Sequence, residues 1–192
     1  GARAEVAELP PDLASTPTRV ALFRHFLAMG QGMEACEATS RRYICLGLDL
    51  AVSDGVLSPA QRDGMIDAAI NAHPATDAGQ EISAFLRGGL QHQYRFANAP
   101  DRALGYGVLN GQEPDCSRAV DREVPRAGLT SLELFTDGYM VAPEEASVEA
   151  WELMHAALES RDPYKIGENA ACKGSTVERF FDDRTIVILK CA

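Results

Sequence analysis

The sequence predicts an α+β domain whose core is antiparallel strands, arranged as two packed sheets and flanked by helices. Three observations carry this expectation. Apolar stretches with strand character recur along the 192 residues, at 42–52, 104–108, 129–137 and 185–189. Helical stripes with recognisable starts and stops lie between them. Hydrophobic residues make up 46% and charged residues 24% of the chain, the balance of a globular core and not of a disordered or collagen-like chain.

Taken in order, residues 1–17 hold Pro10, Pro11 and Pro17 and read as an extended lead-in. Residues 18–29 form a helix with Val20, Phe23, Phe26 and Leu27 on one face, stopped by Gly30 and Gly32. Residues 42–52, with Tyr43, Ile44, Leu46, Leu48, Leu50 and Val52, read as a buried strand ending in the turn Asp54-Gly55. The next helix starts with Ser58 as cap and Pro59 at the first helical position, and ends near His73-Pro74. A further helix is predicted over 78–90, carrying Ile82, Phe85 and Leu86. Leu104, Tyr106 and Val108 alternate with glycines and read as a strand, with a turn at Asn110-Gly111. Residues 118–124 read as a short edge strand and 129–137 as a strong one. A helix follows from Glu144, with Val148, Trp151, Met154 and Leu158 turned toward the sheet, and Asp162-Pro163 ends it. Residues 164–181 read as an irregular segment, and 185–189 as a strand of β-branched residues.

Charge excludes some functions. With 18 Lys+Arg against 28 Asp+Glu the formal net charge is -10, which repels nucleic acid and anionic membranes. No apolar stretch is long enough to span a bilayer, and residues 1–15 have no apolar core of a secretory signal. The five cysteines are scattered and odd in number, without a C-x-x-C pair. The expectation is a cytoplasmic protein with reduced thiols, with neither nucleic acid nor membrane as partner.

The most informative feature is a pair of strand ends. One strand finishes at Thr136-Asp137-Gly138 and another begins just after Asp182-Asp183. If the two are antiparallel neighbours, Asp137 and Asp182 meet at one edge of the sheet. Two like charges at short range call for a proton or a cation between them, and carboxylate oxygens suit Mg²⁺ or Mn²⁺. Gly138 would let the backbone turn away after the ligand.

The segment 132–139, Leu-Glu-Leu-Phe-Thr-Asp-Gly-Tyr, then a helix, then 180–189, Phe-Phe-Asp-Asp-Arg-Thr-Ile-Val-Ile-Leu, resembles the C-terminal half of the metal-dependent type 2C protein phosphatases. Residues 105–111, Gly-Tyr-Gly-Val-Leu-Asn-Gly, are similar to the strand before that half in bacterial relatives. The resemblance implies one phosphatase-like domain over residues 1–192, N-terminally truncated, with the family's α-β-β-α sandwich. It implies hydrolysis of phosphoserine or phosphothreonine esters on a phosphorylated protein, or of another phosphate ester, by a metal-activated water. Asp137 and Asp182 would be metal ligands for Mg²⁺ or Mn²⁺, with Asp183, Gly138 and Asp54 as further candidates. The family's N-terminal acidic-Arg and Asp-Gly-x-Gly motifs have no match; Asp54-Gly55-Val56 is the one counterpart to the second. The alternative is therefore a non-catalytic phosphatase-like binding or regulatory module with an incomplete metal site.

Other chemistry has little foothold. His25, His73, His92 and His155 lack metal-type spacing, and His155 reads as a packing residue beside Trp151. No Ser lies in a G-x-S-x-G motif. Lys173-Gly174-Ser175-Thr176 lacks the upstream glycine of a phosphate loop and reads as a loop near the site, from which Lys173 or Arg179 could reach a phosphate.

Overall fold

A computed structural model describes residues 9–119, 121 and 123–191. Its described residues form six α-helices and only two strands, so the β-sandwich expected from the sequence is not present. The chain divides into two compact units. Of the described residues, 9–119 and 170–172 make up the helical unit, and 121, 123–169 and 173–191 the strand unit.

In the helical unit α1 spans Pro10–Ala28, earlier than the prolines suggest. Pro10 and Pro11 occupy the first turn, where no N–H is needed. Pro17 removes one hydrogen bond within the helix, but burial of Ala14, Leu22, Phe23 and Phe26 outweighs that loss. Helix α2 (Met33–Leu46) and α3 (Leu48–Ser53) occupy the segment read as a strand. The buried residues of α2 are Cys36, Glu37, Ser40, Tyr43 and Ile44, a helical stripe whose polar members conceal it from a hydrophobicity pattern. Gly47, at φ 103°, separates the two helices, and a side chain there would collide with the Arg87 carbonyl.

Helix α4 (Pro59–Ala72) starts as expected: Ser58 accepts from the Gln61 N–H and the Gln61 side chain accepts from the Ser58 N–H. Helix α5 (Gly79–Gly88) buries Ile82, Phe85 and Leu86. Residues 104–108 are not a strand. Asn98 holds Val108 through both side-chain atoms, at 2.8 and 2.9 Å, replacing a sheet ladder. The backbone meets its neighbour only in a bridge between Ala97 and Tyr106. Of the edge strand expected over 118–124, Val120 and Arg122 lie outside the described residues, and no strand includes the others.

Arg19 of α1 and Glu37 of α2 form an ion pair whose side chains are 0% and 1% exposed. Each charge is tolerable there only because the other is present. Arg19→Met or Glu37→Leu alone should cost about 3–5 kcal/mol in urea unfolding, and the double replacement should recover most of it.

The strand unit keeps what period-two patterning predicts. Strands β1 (Ser131–Phe135) and β2 (Ile186–Lys190) are antiparallel, in register from Ser131↔Lys190 to Phe135↔Ile186. Helix α6 (Val148–Arg161) is capped by Ser147, whose hydroxyl accepts from Ala150 N–H, so Glu144 and Glu145 precede the helix. Trp151, 1% exposed, meets Phe135 at 4.6 Å in a tilted contact and Tyr139 edge-to-face at 5.1 Å, and its Nε1 donates to Glu133 at 2.8 Å. Its companions on the buried face are His155 and Leu158; Val148 and Met154, expected there, are exposed. Trp151→Ala should destabilise the unit by roughly 3–5 kcal/mol in thermal unfolding followed by circular dichroism, the usual range for a buried large aromatic.

Candidate functional site: a cleft at the strand ends

The antiparallel register sets the C-terminal end of β1 beside the N-terminal end of β2. Two bonds extend the pairing to the turn: Thr136 N–H to Thr185 O at 3.1 Å, and Thr185 N–H to Thr136 Oγ1 at 3.0 Å. Gly138 then lies against the Asp183 backbone so closely that a Cβ would collide with its carbonyl. Thr136-Asp137-Gly138 and Asp182-Asp183 are therefore neighbours, and Gly138 is the residue that permits it.

A cleft of about 490 Å³ opens at this place. Asp182 and Asp183 line it, as do Glu178, Arg179 and Phe180 of the preceding loop. Asp137 is exposed at the strand end. Asp182 is engaged: its Oδ1 accepts from the Asp183 N–H at 2.9 Å and lies 2.9 Å from the Lys173 ammonium. Among the described residues no side-chain hydrogen bond or ion pair involves Arg179, which is exposed on the rim. Asp54 belongs to the helical unit, where it follows α3 and accepts from Tyr43 Oη at 3.0 Å and Arg42 Nη2 at 3.4 Å.

The far wall holds three residues that sequence reasoning missed. Glu152 of α6 receives Arg184 through Nε at 3.3 Å and Nη2 at 2.8 Å, and also receives the Tyr139 hydroxyl. The Arg184 fork, followed by the Tyr139 hydroxyl, holds the Glu152 carboxyl at about 2. Burial, reinforced by the bond to Glu152, raises the Tyr139 hydroxyl above its ordinary value. The two partners of Glu152, Tyr139 and Arg184, are 13 and 32 residues from it in sequence, so no local pattern announces them.

Behind this wall the loop is pinned to α6. Glu159 accepts from the buried Lys165 ammonium and, at 2.5 Å, from Ser175 Oγ, which itself accepts from Phe181 N–H at 2.9 Å. His155, 7% exposed, sits among Tyr139, Phe180 and Phe181, and neither ring nitrogen has a hydrogen-bond partner among the described residues. This matches its reading as a packing residue. Burial first, then the Arg184 charge, pushes its pKa below the ordinary 6.5, against the pull of Glu159 and Glu152. The folded state therefore binds fewer protons than the unfolded chain between the depressed value and 6.5, so stability falls as pH drops through that window. Acidification from about pH 7.5 to about pH 5.5 should lower the melting temperature of the wild type more than that of His155→Phe, compared by calorimetry.

Among the described residues no three His, Cys, Asp or Glu side chains converge as a metal site requires. Asp137 and Asp182 stand at the two adjacent strand ends and carry carboxylate oxygens of the kind hard cations take, but too few such side chains converge among the described residues to build a two-cation centre. All five cysteines are free thiols, and no described helix is long and apolar enough to cross a membrane. Comparison with protein-family models, curated proteins and solved structures finds no match for this chain.

Proposed function

We propose that the strand-end cleft is a phosphate-ester-binding site working with a single divalent cation, in a phosphatase-like binding or regulatory module. The observation that supports it best is the abutment of Gly138 on Asp183, which gathers the two acidic strand ends beside an unengaged Arg179. Asp137 and Asp182 would hold Mg²⁺ or Mn²⁺, with Asp183 beside them. Arg179, and Lys173 once a cation takes its place on Asp182, would receive the phosphate oxygens. A cation bound here would neutralise phosphate charge and orient the ester. The resemblance of residues 132–139 and 180–189 to type 2C phosphatase segments favours phosphoserine or phosphothreonine as the ligand.

Turnover belongs to a second reading, favoured by those same motifs. Two-metal hydrolysis needs more carboxylates than converge among the described residues, so no hydrolytic step is derived from them. The same reading puts the protein in the cytoplasm, where five scattered thiols stay reduced.

The test is calorimetric Mn²⁺ titration of the wild type, Asp137→Asn and Asp182→Asn, with phosphate release from an aryl phosphate measured alongside. The expected result is weak Mn²⁺ binding by the wild type, a loss of roughly tenfold or more in each variant, and slow or absent turnover. A neutral amide lacks the charge that holds the cation. Identical titrations for all three proteins would remove both aspartates from the site. Robust metal-dependent turnover would replace the binding module by a hydrolase.

A further inference from the structure

The helical unit carries a second concavity that the strand-end reading does not use. Helix α5 ends at Gly88, Gly89 follows at φ 78°, and a 3₁₀ helix over Leu90–Phe96 folds back beside it. Between them lies a groove of about 360 Å³. Its floor is Phe85 and Phe96, 3% and 7% exposed and edge-to-face at 5.5 Å. Gly88 makes room for the wall: its missing Cβ would stand 2.5 Å from His92 Nδ1, and that ring instead lies along the helix end with Nδ1 3.1 Å from the Gly88 carbonyl.

The rim is unbalanced in charge. Glu81, its sole carboxylate, is engaged by Arg102 Nη1 at 3.3 Å and by the Leu104 N–H at 3.1 Å. Arg95 has no carboxylate partner among the described residues; its guanidinium lies 5.9 Å from the ring centre of its own neighbour Tyr94. A chain of net charge -10 thus keeps a guanidinium without a carboxylate partner among the described residues beside an aromatic floor, with its Nε donating only to the Tyr94 hydroxyl at 3.5 Å. A groove of this size, apolar below, with Arg95 at its edge beside the Glu81–Arg102 pair, is complementary to a small molecule that is apolar at one end and anionic at the other.

We propose that this groove binds a small amphipathic monoanion, an aryl or medium-chain alkyl carboxylate. Its apolar body lies on Phe85 and Phe96 and its carboxylate is held by Arg95. The groove belongs to the helical unit, so the proposal stands or falls independently of the strand-end cleft.

The experiment uses the full chain and two probes of one chain length, decanoate and decanol, in isothermal titration, with displacement of 8-anilinonaphthalene-1-sulfonate fluorescence as a second readout. Decanoate should bind saturably and more tightly than decanol. Arg95→Gln should weaken decanoate roughly tenfold or more, since a charge-assisted contact is lost, and leave decanol unchanged. Gly88→Ala, which drives the His92 ring from its place, should weaken both probes, with circular dichroism confirming that each variant is folded. Equal decanoate affinity in the wild type and Arg95→Gln would overturn the proposal. So would decanol binding as tightly as decanoate, or no saturable binding of either probe.

Discussion

Everything distinctive about the strand unit depends on how one indole is buried. A two-stranded ribbon of five-residue strands is not stable by itself in water. Trp151 gives it a third element to rest on. Its ring covers Phe135 at the end of β1 and Tyr139 just after the turn, and its N–H is satisfied by Glu133 on the same strand. Fixing Tyr139 fixes the direction in which its hydroxyl points, and that hydroxyl shares Glu152 with Arg184. Arg184 leads into β2, so the acidic strand end is held from both sides.

The helical unit solves a different problem. Its core contains a full ion pair, Arg19 with Glu37, where most of its neighbours are apolar. Removing two charges from water is costly, and replacing such a pair by apolar residues is often neutral or stabilising. A shift of α1 along α2 would leave two buried charges unpaired, which disfavours other registers of the two helices. The close approach of Gly47 to the Arg87 carbonyl then fixes where α3 begins relative to α5.

Legibility in the sequence followed the range of the signal. The Ser58 cap, the strands at 131–135 and 186–190 and their antiparallel pairing are local or period-two patterns, and each is found where the residues point. That pairing brings the two acidic strand ends to one sheet edge, as expected of Asp137 and Asp182, and the close approach found there is of Gly138 to the Asp183 backbone. Helix α2 was illegible because Glu37 and Ser40 sit on its buried face, leaving Tyr43 through Val52 to mimic an alternating strand. Gly105 and Gly107 spaced Leu104, Tyr106 and Val108 like a strand, yet the Asn98 side chain took the bonds a neighbouring strand would have made. The packed sheets were expected from the apolar stretches at 42–52 and 104–108 together with 129–137 and 185–189; the first of these is helical and the second makes only one isolated bridge. In the site, Asp182 and Asp183 line the cleft but Asp137 is not among its lining residues, and Glu152 and Arg184 meet across 32 residues with no local cue.

The central claim is that the two acidic strand ends act together on one cation, and paramagnetic broadening reads this residue by residue. In an amide spectrum of the isotope-labelled chain, substoichiometric Mn²⁺ should first extinguish the signals of Asp137, Gly138, Asp182 and Asp183. Those of exposed acidic residues elsewhere in the strand unit, such as Glu144 and Glu145, should persist to higher concentration. Simultaneous loss at all exposed carboxylates, or first loss at Glu144 and Glu145, would show that the cation meets only diffuse surface charge and would contradict the account.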